Sequence, residues 1–262
     1  LLTRHGCEVV VAKGAGCCGA IVHHLGKERA ALAAARADVN ACSGVTPTAL
    51  GGVTRQPALN LAAQYADAAT VRALVECRAR PDGRDSHGLT ALIQAAAFGD
   101  TEMLDVLITA RADVNLAVTR TTKDGTPRGF SPLDSAATYG HVEAIRALVA
   151  AGAHVNASTT DLIIGFQPLH LAMLAARPAP VVAALVEARA AVDAKARFPI
   201  SATPLVIAAY FNNAEGAAAL LAARADAGVA VRSVVVGFRR KTALEMAQAF
   251  GRAEVSAVLS DA

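Results

Sequence analysis

No uninterrupted apolar run in this chain reaches the roughly 18–20 residues that a membrane-spanning helix requires, although 54% of its 262 residues are hydrophobic. Alanine is the commonest residue in that fraction; it forms helices readily and lets them approach closely. The expectation is an intracellular, soluble protein with no transmembrane segment. Tryptophan is absent and aromatic residues make up only 4%. The five cysteines (Cys7, Cys17, Cys18, Cys42, Cys77) are odd in number, irregularly spaced and crowded into the first third. That pattern does not read as a disulfide framework and suits reduced thiols. No nucleophile–base signature and no phosphate loop stands out, so the chain is expected to be no enzyme and to hold no cofactor. An initiating methionine is missing too: residues 1–6 (LLTRHG) read as the end of an earlier repeat, and neither end carries a polar cap. A piece of a longer chain is the expectation.

What the chain has is a phrase that it repeats. It reads TALIQAA from Thr90, SPLDSAA from Ser131, QPLHLAM from Gln167 and TPLVIAA from Thr203, with degraded copies at Pro57 (PALNLAA) and Thr242 (TALEMAQ). A closing phrase recurs between the anchors: RADVN from Arg36 and Arg111, GAHVN from Gly152, RADAG from Arg224. Anchors stand at Ala15, Pro57, Thr90, Ser131, Gln167, Thr203 and Thr242. Their spacing is uneven, shortest from Pro57 to Thr90 and longest from Ala15 to Pro57. Within the unit it is not: the separations of Thr90 from Asp113, Ser131 from His154 and Thr203 from Asp226 are identical. The Gln167 copy runs one place longer, through Arg177-Pro178-Ala179-Pro180 between its helices. Leucines 32, 74, 107, 148, 185, 220 and 259 hold one equivalent position and are expected to stack into a ridge of core.

This pattern resembles the ankyrin repeat, a unit of about 33 residues made of a β-turn and two antiparallel helices. The resemblance covers essentially the whole chain. It implies one helical repeat solenoid over residues 1–262, dominated by α-structure, with residues 1–13 ending a preceding partial repeat and hairpin fingers joining the helix pairs. It also implies that His170, at the histidine of the family's Thr-Pro-Leu-His motif, bonds structurally between repeats. One departure is systematic. The family places glycine after the second helix, where the chain turns left-handed, yet only Gly152 obeys. Arg36, Arg78, Arg111, Arg189 and Arg224 fill the equivalent places. Each costs about 1 kcal/mol, part of which the arginine can recover at the helix C-terminal carbonyls. They read as scaffold rather than site.

An ordinary ankyrin repeat has about seven linking residues between closing phrase and next anchor. Here those segments are 41–56, 83–89, 116–130, 157–166, 194–202 and 229–241, and only the second keeps the ordinary length. Residues 116–130 (LAVTRTTKDGTPRGF) alternate into Asp124-Gly125, a tight-turn signal. Residues 229–241 (VAVRSVVVGFRRK) are rich in β-branched side chains, which favour strand. The fingers carry Arg55, Arg84, Arg120, Lys123, Arg128, Lys195, Arg197, Arg232, Arg239, Arg240 and Lys241 against Asp85, Asp124 and Asp161, a net +8 in a chain of net +3, which leaves −5 elsewhere. Such a separation steers an acidic partner to the finger edge. Loops also collect charge simply by being exposed, but an even spread would not give the two parts opposite signs. Phe130, Phe166, Phe198 and Phe238 lie in fingers too, beside the triplets at 162–164 and 234–236. Phe130 and Phe166, next to an anchor, read equally well as packing.

Two patterns are weighed and set aside. Residues 14–19 (GAGCCG) form a G-x-G-x-x-G after a strand-like run, but no βαβ units follow, as a dinucleotide fold would require. Adjacent Cys17-Cys18 beside His23-His24 fit zinc spacing poorly. The expected function is protein–protein interaction through a concave groove and basic, partly apolar fingers. Candidate contacts are Arg120, Lys123, Arg128, Phe130, Phe166, Arg197, Phe198, Arg232, Phe238, Arg239, Arg240 and Lys241. The partner is expected to be a protein with an acidic surface. Nucleic acid is disfavoured, since no aromatic-basic interleaving of a known module is present. The rival readings are a structural subunit of a large assembly and the repeat segment of a larger enzyme or adaptor.

Overall fold

A computed structural model of the chain describes residues 40, 46–47, 53–54, 56–118, 120–121, 127–159, 165–196, 201–231 and 240–261. The repeat expected from Ala15, with Leu32, Arg36 and the patterns at 14–24, lies outside the described residues. Beyond it, six helix pairs follow the six remaining anchors. They are α1 (Ala58–Tyr65) with α2 (Ala68–Glu76), α3 (Ala91–Phe98) with α4 (Thr101–Thr109) and α5 (Pro132–Tyr139) with α6 (Val142–Ala150). Then come α7 (Pro168–Leu171) with α8 (Pro178–Glu187), α9 (Pro204–Tyr210) with α10 (Ala214–Ala222) and α11 (Ala243–Ala249) with α12 (Ala253–Ser260). Among the described residues the strands are two-residue pairs: β1 (Thr46–Pro47) with β2 (Val53–Thr54), and β3 (Arg120–Thr121) with β4 (Pro127–Arg128), each antiparallel.

In four of the six repeats the anchor phrase starts the first helix for a plain reason. A hydroxyl side chain accepts the third backbone N–H of the helix, a group with no intrahelical partner. Thr90 accepts from Ile93 at 3.3 Å, Thr203 from Val206 at 3.4 Å and Thr242 from Glu245 at 3.3 Å. Pro132, Pro168 and Pro204 occupy the first turn, where no N–H is needed. In the Gln167 repeat the helix is short and tightens into a 3-10 turn over Ala172–Leu174. Pro178 keeps Arg177 out of the helical conformation, so the second helix begins only after it.

First helices stack on first helices and second on second. The alanine five places past each anchor makes that approach possible. Ala62, Ala95, Ala136, Ala172, Ala208 and Ala247 are all buried. The expected leucine ridge is present from Leu74 through Leu107, Leu148, Leu185 and Leu220 to Leu259, buried at every step.

The left-handed turn closes α2, α4, α6, α8 and α10 as expected. Arg78, Arg111, Arg189 and Arg224 have φ between 64° and 68°, and Gly152 has φ 93°. Two backbone bonds clasp each turn. In one of them the Arg111 N–H donates to Ile108 at 2.9 Å and the Ala112 N–H to Leu107 at 3.0 Å.

The last residue of the closing phrase binds the next repeat. Asn40 accepts from the Arg80 N–H at 2.7 Å and donates to the Arg78 carbonyl at 3.3 Å. Asn115 does the same with His154 and Gly152, and Asn156 with Ala191 and Arg189. Asp82 and Asp193 supply only the acceptor half, taking the N–H of Asp113 and Asp226 at 2.9 Å.

Candidate interaction surface

Five of the linking segments are closed at their root by the same bond. The backbone N–H at the start of the finger donates to the carbonyl just before the next anchor: Asp85 to Leu89, Val118 to Phe130, Thr159 to Phe166, Ala196 to Ala202 and Val231 to Lys241, at 2.6–3.0 Å. The same root bond recurs whatever the length of the segment, so the helix pairs on either side keep their place. In the finger after α4 the pairing continues outward through Arg120 opposite Arg128 and Thr121 opposite Pro127.

Beneath the roots lies a row of side chains three places past each anchor. Asn60 donates to the Leu89 carbonyl at 2.7 Å. His170 Nε2 donates to the Ala202 carbonyl at 3.0 Å, while its Nδ1 accepts the Gln167 N–H at 3.2 Å. A neutral imidazole serves both bonds, and burial pushes its pKa down to about 4. The structural role expected for His170 is what its contacts describe. Asp134 holds the same place but has no proton to give as a carboxylate. Its Oδ2 accepts from the Ser131 N–H at 2.8 Å and the Ser131 hydroxyl at 2.7 Å, while its Oδ1 is buried with no hydrogen-bond partner. Burial raises its pKa to about 6.

The expected contact residues separate into groups. Phe130 is half-buried and packs on the core below its root. Phe166 is a correction as a surface contact: it is 7% exposed and stacks on the His170 ring with centroids 5.4 Å apart, which leaves little for a partner. Arg120 and Arg128 are register partners across the β3–β4 ladder. Arg240 is exposed with φ 56°, and Lys241 is half-buried at a root. Lys123, Arg197, Phe198, Arg232, Phe238 and Arg239 lie outside the described residues, as do the apolar triplets at 162–164 and 234–236. One finger cation is committed internally: Arg84 donates to the Ala117 carbonyl at 2.8 Å and to that of Gly88 at 3.2 Å, tying one finger to the next. Asp85 is buried in its own turn, accepting from the backbone of His87 and Leu89.

A second feature escaped the sequence reading. Tyr65, Phe98, Tyr139, Phe211 and Phe250 each stand eight places past an anchor, and all are exposed, by 40–61%. Leu174, one place earlier in the Gln167 repeat and 42% exposed, fills the row there. The spacing carries the signal, but nothing along the chain says that this end of the helix meets water. Tyr210 braces one end of the row, edge-on to Phe211 at 5.1 Å and to Phe250 at 5.5 Å.

Among the described residues no three His, Cys, Asp or Glu side chains gather to hold a metal, and no helix is long and apolar enough to cross a membrane. No curated protein matches the chain. The family model described as ankyrin repeats (3 copies) matches residues 29–118 and, overlapping them, 59–159. Such repeats are in general protein–protein interaction modules. With capped helix pairs, left-handed closures and asparagine staples recurring along the stack, this chain belongs to the ankyrin repeat family.

Proposed function

We propose that the chain is a non-catalytic module that binds an acidic protein partner through its finger edge and the groove beside it. The observation that carries this reading is the opposite sign of charge on the fingers, net +8, and on the rest of the chain, net −5. Stacked repeats build extended concave surfaces, and a charged edge raises encounter rates with a partner of opposite sign. Arg120, Lys123, Arg128, Arg197, Arg232, Arg239, Arg240 and Lys241 are the steering contacts, with Phe198 and Phe238 as apolar anchors. Phe130 supports its finger from below, and Phe166 is left out because it is buried.

Crosslinking mass spectrometry on the native protein, reading links from Lys123 and Lys241, identifies the partner. Binding is then measured against salt for the wild type and for a variant carrying Arg239→Glu and Arg240→Glu. Weaker binding with a shallower salt slope supports the reading. Unchanged affinity and slope overturn it.

A further inference from the structure

The edge away from the fingers carries a second surface. Each first helix runs from a finger root toward its exposed ring, and each second helix returns, so the row of Tyr65, Phe98, Tyr139, Leu174, Phe211 and Phe250 lies at the far end of the helix pairs. The chain has seven Phe and three Tyr. Four are the finger phenylalanines, and the other six, Tyr210 included, stand at this edge. In a protein this poor in rings, placing half of them partly in water at one equivalent position marks a contact surface rather than scattered exposure.

Three properties of the edge define what fits it. Neighbouring first helices pack directly on one another, which sets their axes about 8–10 Å apart. A polyproline II helix repeats every three residues, about 9.3 Å, and so presents one side of itself to each ring in turn. Second, half of the helix N-termini here are already capped: Asp67, Asp100 and Asn213 close those of α2, α4 and α10 with bonds of 2.8–3.0 Å. The edge offers rings and carboxylates rather than a strand to pair with, which suits a ligand whose own backbone needs no ladder. Third, Glu102, Glu143, Glu215 and Glu254 occupy one position in the second helices, four places beyond the row, and all are exposed. Arg72 lies 4.0 Å from Glu102 and Arg146 3.0 Å from Glu143. Arg177 and Arg252 stand in the turns. With Asp67 and Asp100 added to the glutamates, carboxylates outnumber these cations along the row. Rings beside carboxylates attract guanidinium and ammonium groups.

We propose that this edge docks a basic, proline-rich segment of a partner protein in the polyproline II conformation, with prolines on the rings and arginines toward the glutamate row. The surface is separate from the finger edge and of opposite preference, since the fingers take an acidic partner.

The test uses the 262-residue chain and a fluorescent peptide of four Arg-Pro-Pro units, about 37 Å long, with a Glu-Pro-Pro peptide of equal length as control. Anisotropy titration is expected to show saturable binding of the arginine peptide only. A Phe98→Ser, Tyr139→Ser variant is expected to weaken it about tenfold or more. Glu143→Lys with Glu215→Lys provides a second variant, weakening binding without touching the rings. Arg240→Glu leaves the affinity unchanged, which separates failure here from failure of the finger reading. Absent binding, equal binding of the glutamate peptide, or affinity indifferent to both edge variants overturns the proposal. So does self-association by sedimentation that the serine variant abolishes, because it assigns the edge to a second copy of the chain.

Discussion

Asn115 donates to the carbonyl oxygen of Gly152 at 3.1 Å, in the left-handed turn that ends the next repeat's second helix. The oxygen of the same amide accepts the His154 N–H at 2.8 Å. One side chain thus fixes the offset between consecutive repeats from both sides. Asn115→Ala removes both bonds and is expected to cost about 1–2 kcal/mol in urea unfolding. Asn115→Asp keeps the acceptor half, as Asp82 and Asp193 do, and is expected to cost less. Equal stability of the three proteins would remove the staple from the account.

Asp134 and His170 occupy the same place in consecutive repeats and titrate in opposite senses. The Asp134 pKa rises from 3.8 to about 6 on folding, so the folded state binds the extra proton between those values. Stability from this group is fully present below pH 3.8 and lost as pH rises through 6. The His170 pKa falls from 6.5 to about 4, so its contribution is present above pH 6.5 and lost as pH falls toward 4. The two largely offset each other across the shared window. Asp134→Asn retains an oxygen for Ser131 and gains a donor. It is expected to stabilise the fold at pH 7 by on the order of 2 kcal/mol. It also leaves His170 alone, so stability then climbs from about pH 4 to 6.5. Urea melts on either side of that window read both effects; a variant no more stable than wild type at neutral pH contradicts them.

Two glycines separate backbone strain from collision. A Cβ at Gly152 would meet nothing within 4 Å, so Gly152→Ala reports the left-handed φ alone, a cost of about 1 kcal/mol. At Gly99, φ 69°, the added carbon runs into the His141 ring, whose Nε2 is 3.0 Å from the Ala97 carbonyl. Gly99→Ala is expected to lose about 2–3 kcal/mol, strain and displaced packing together. Thermal unfolding of both variants should rank them in that order.

Ala95 stands where α3 meets its neighbouring first helices and is fully buried. Ala95→Leu keeps helix propensity high yet forces those helices apart, and is expected to destabilise by about 1–3 kcal/mol. A neutral result in denaturant titration would mean that the helices can separate freely, which close packing of the alanine row argues against.

The sequence alone determined the repeat, its period and its helix pairs. Those follow from local chemistry: a hydroxyl that caps, a proline that tolerates only the first turn, a leucine at a fixed place in every second helix. It also located the left-handed closures, because arginine stood where only glycine is comfortable, and Arg78, Arg111, Arg189 and Arg224 all have positive φ. What a side chain three places past an anchor does was not legible, since Asn60, Asp134 and His170 share a place but not a chemistry. Only the next repeat's carbonyl, brought beneath them by stacking, separates donors from the carboxylate left with a buried free oxygen. Tertiary structure likewise divided the aromatics. Phe166 stands one place before an anchor and Tyr139 eight places past one, and nothing along the chain says which is buried. Yet stacking on His170 buries the first, while the turn at Gly140 leaves the second 61% exposed.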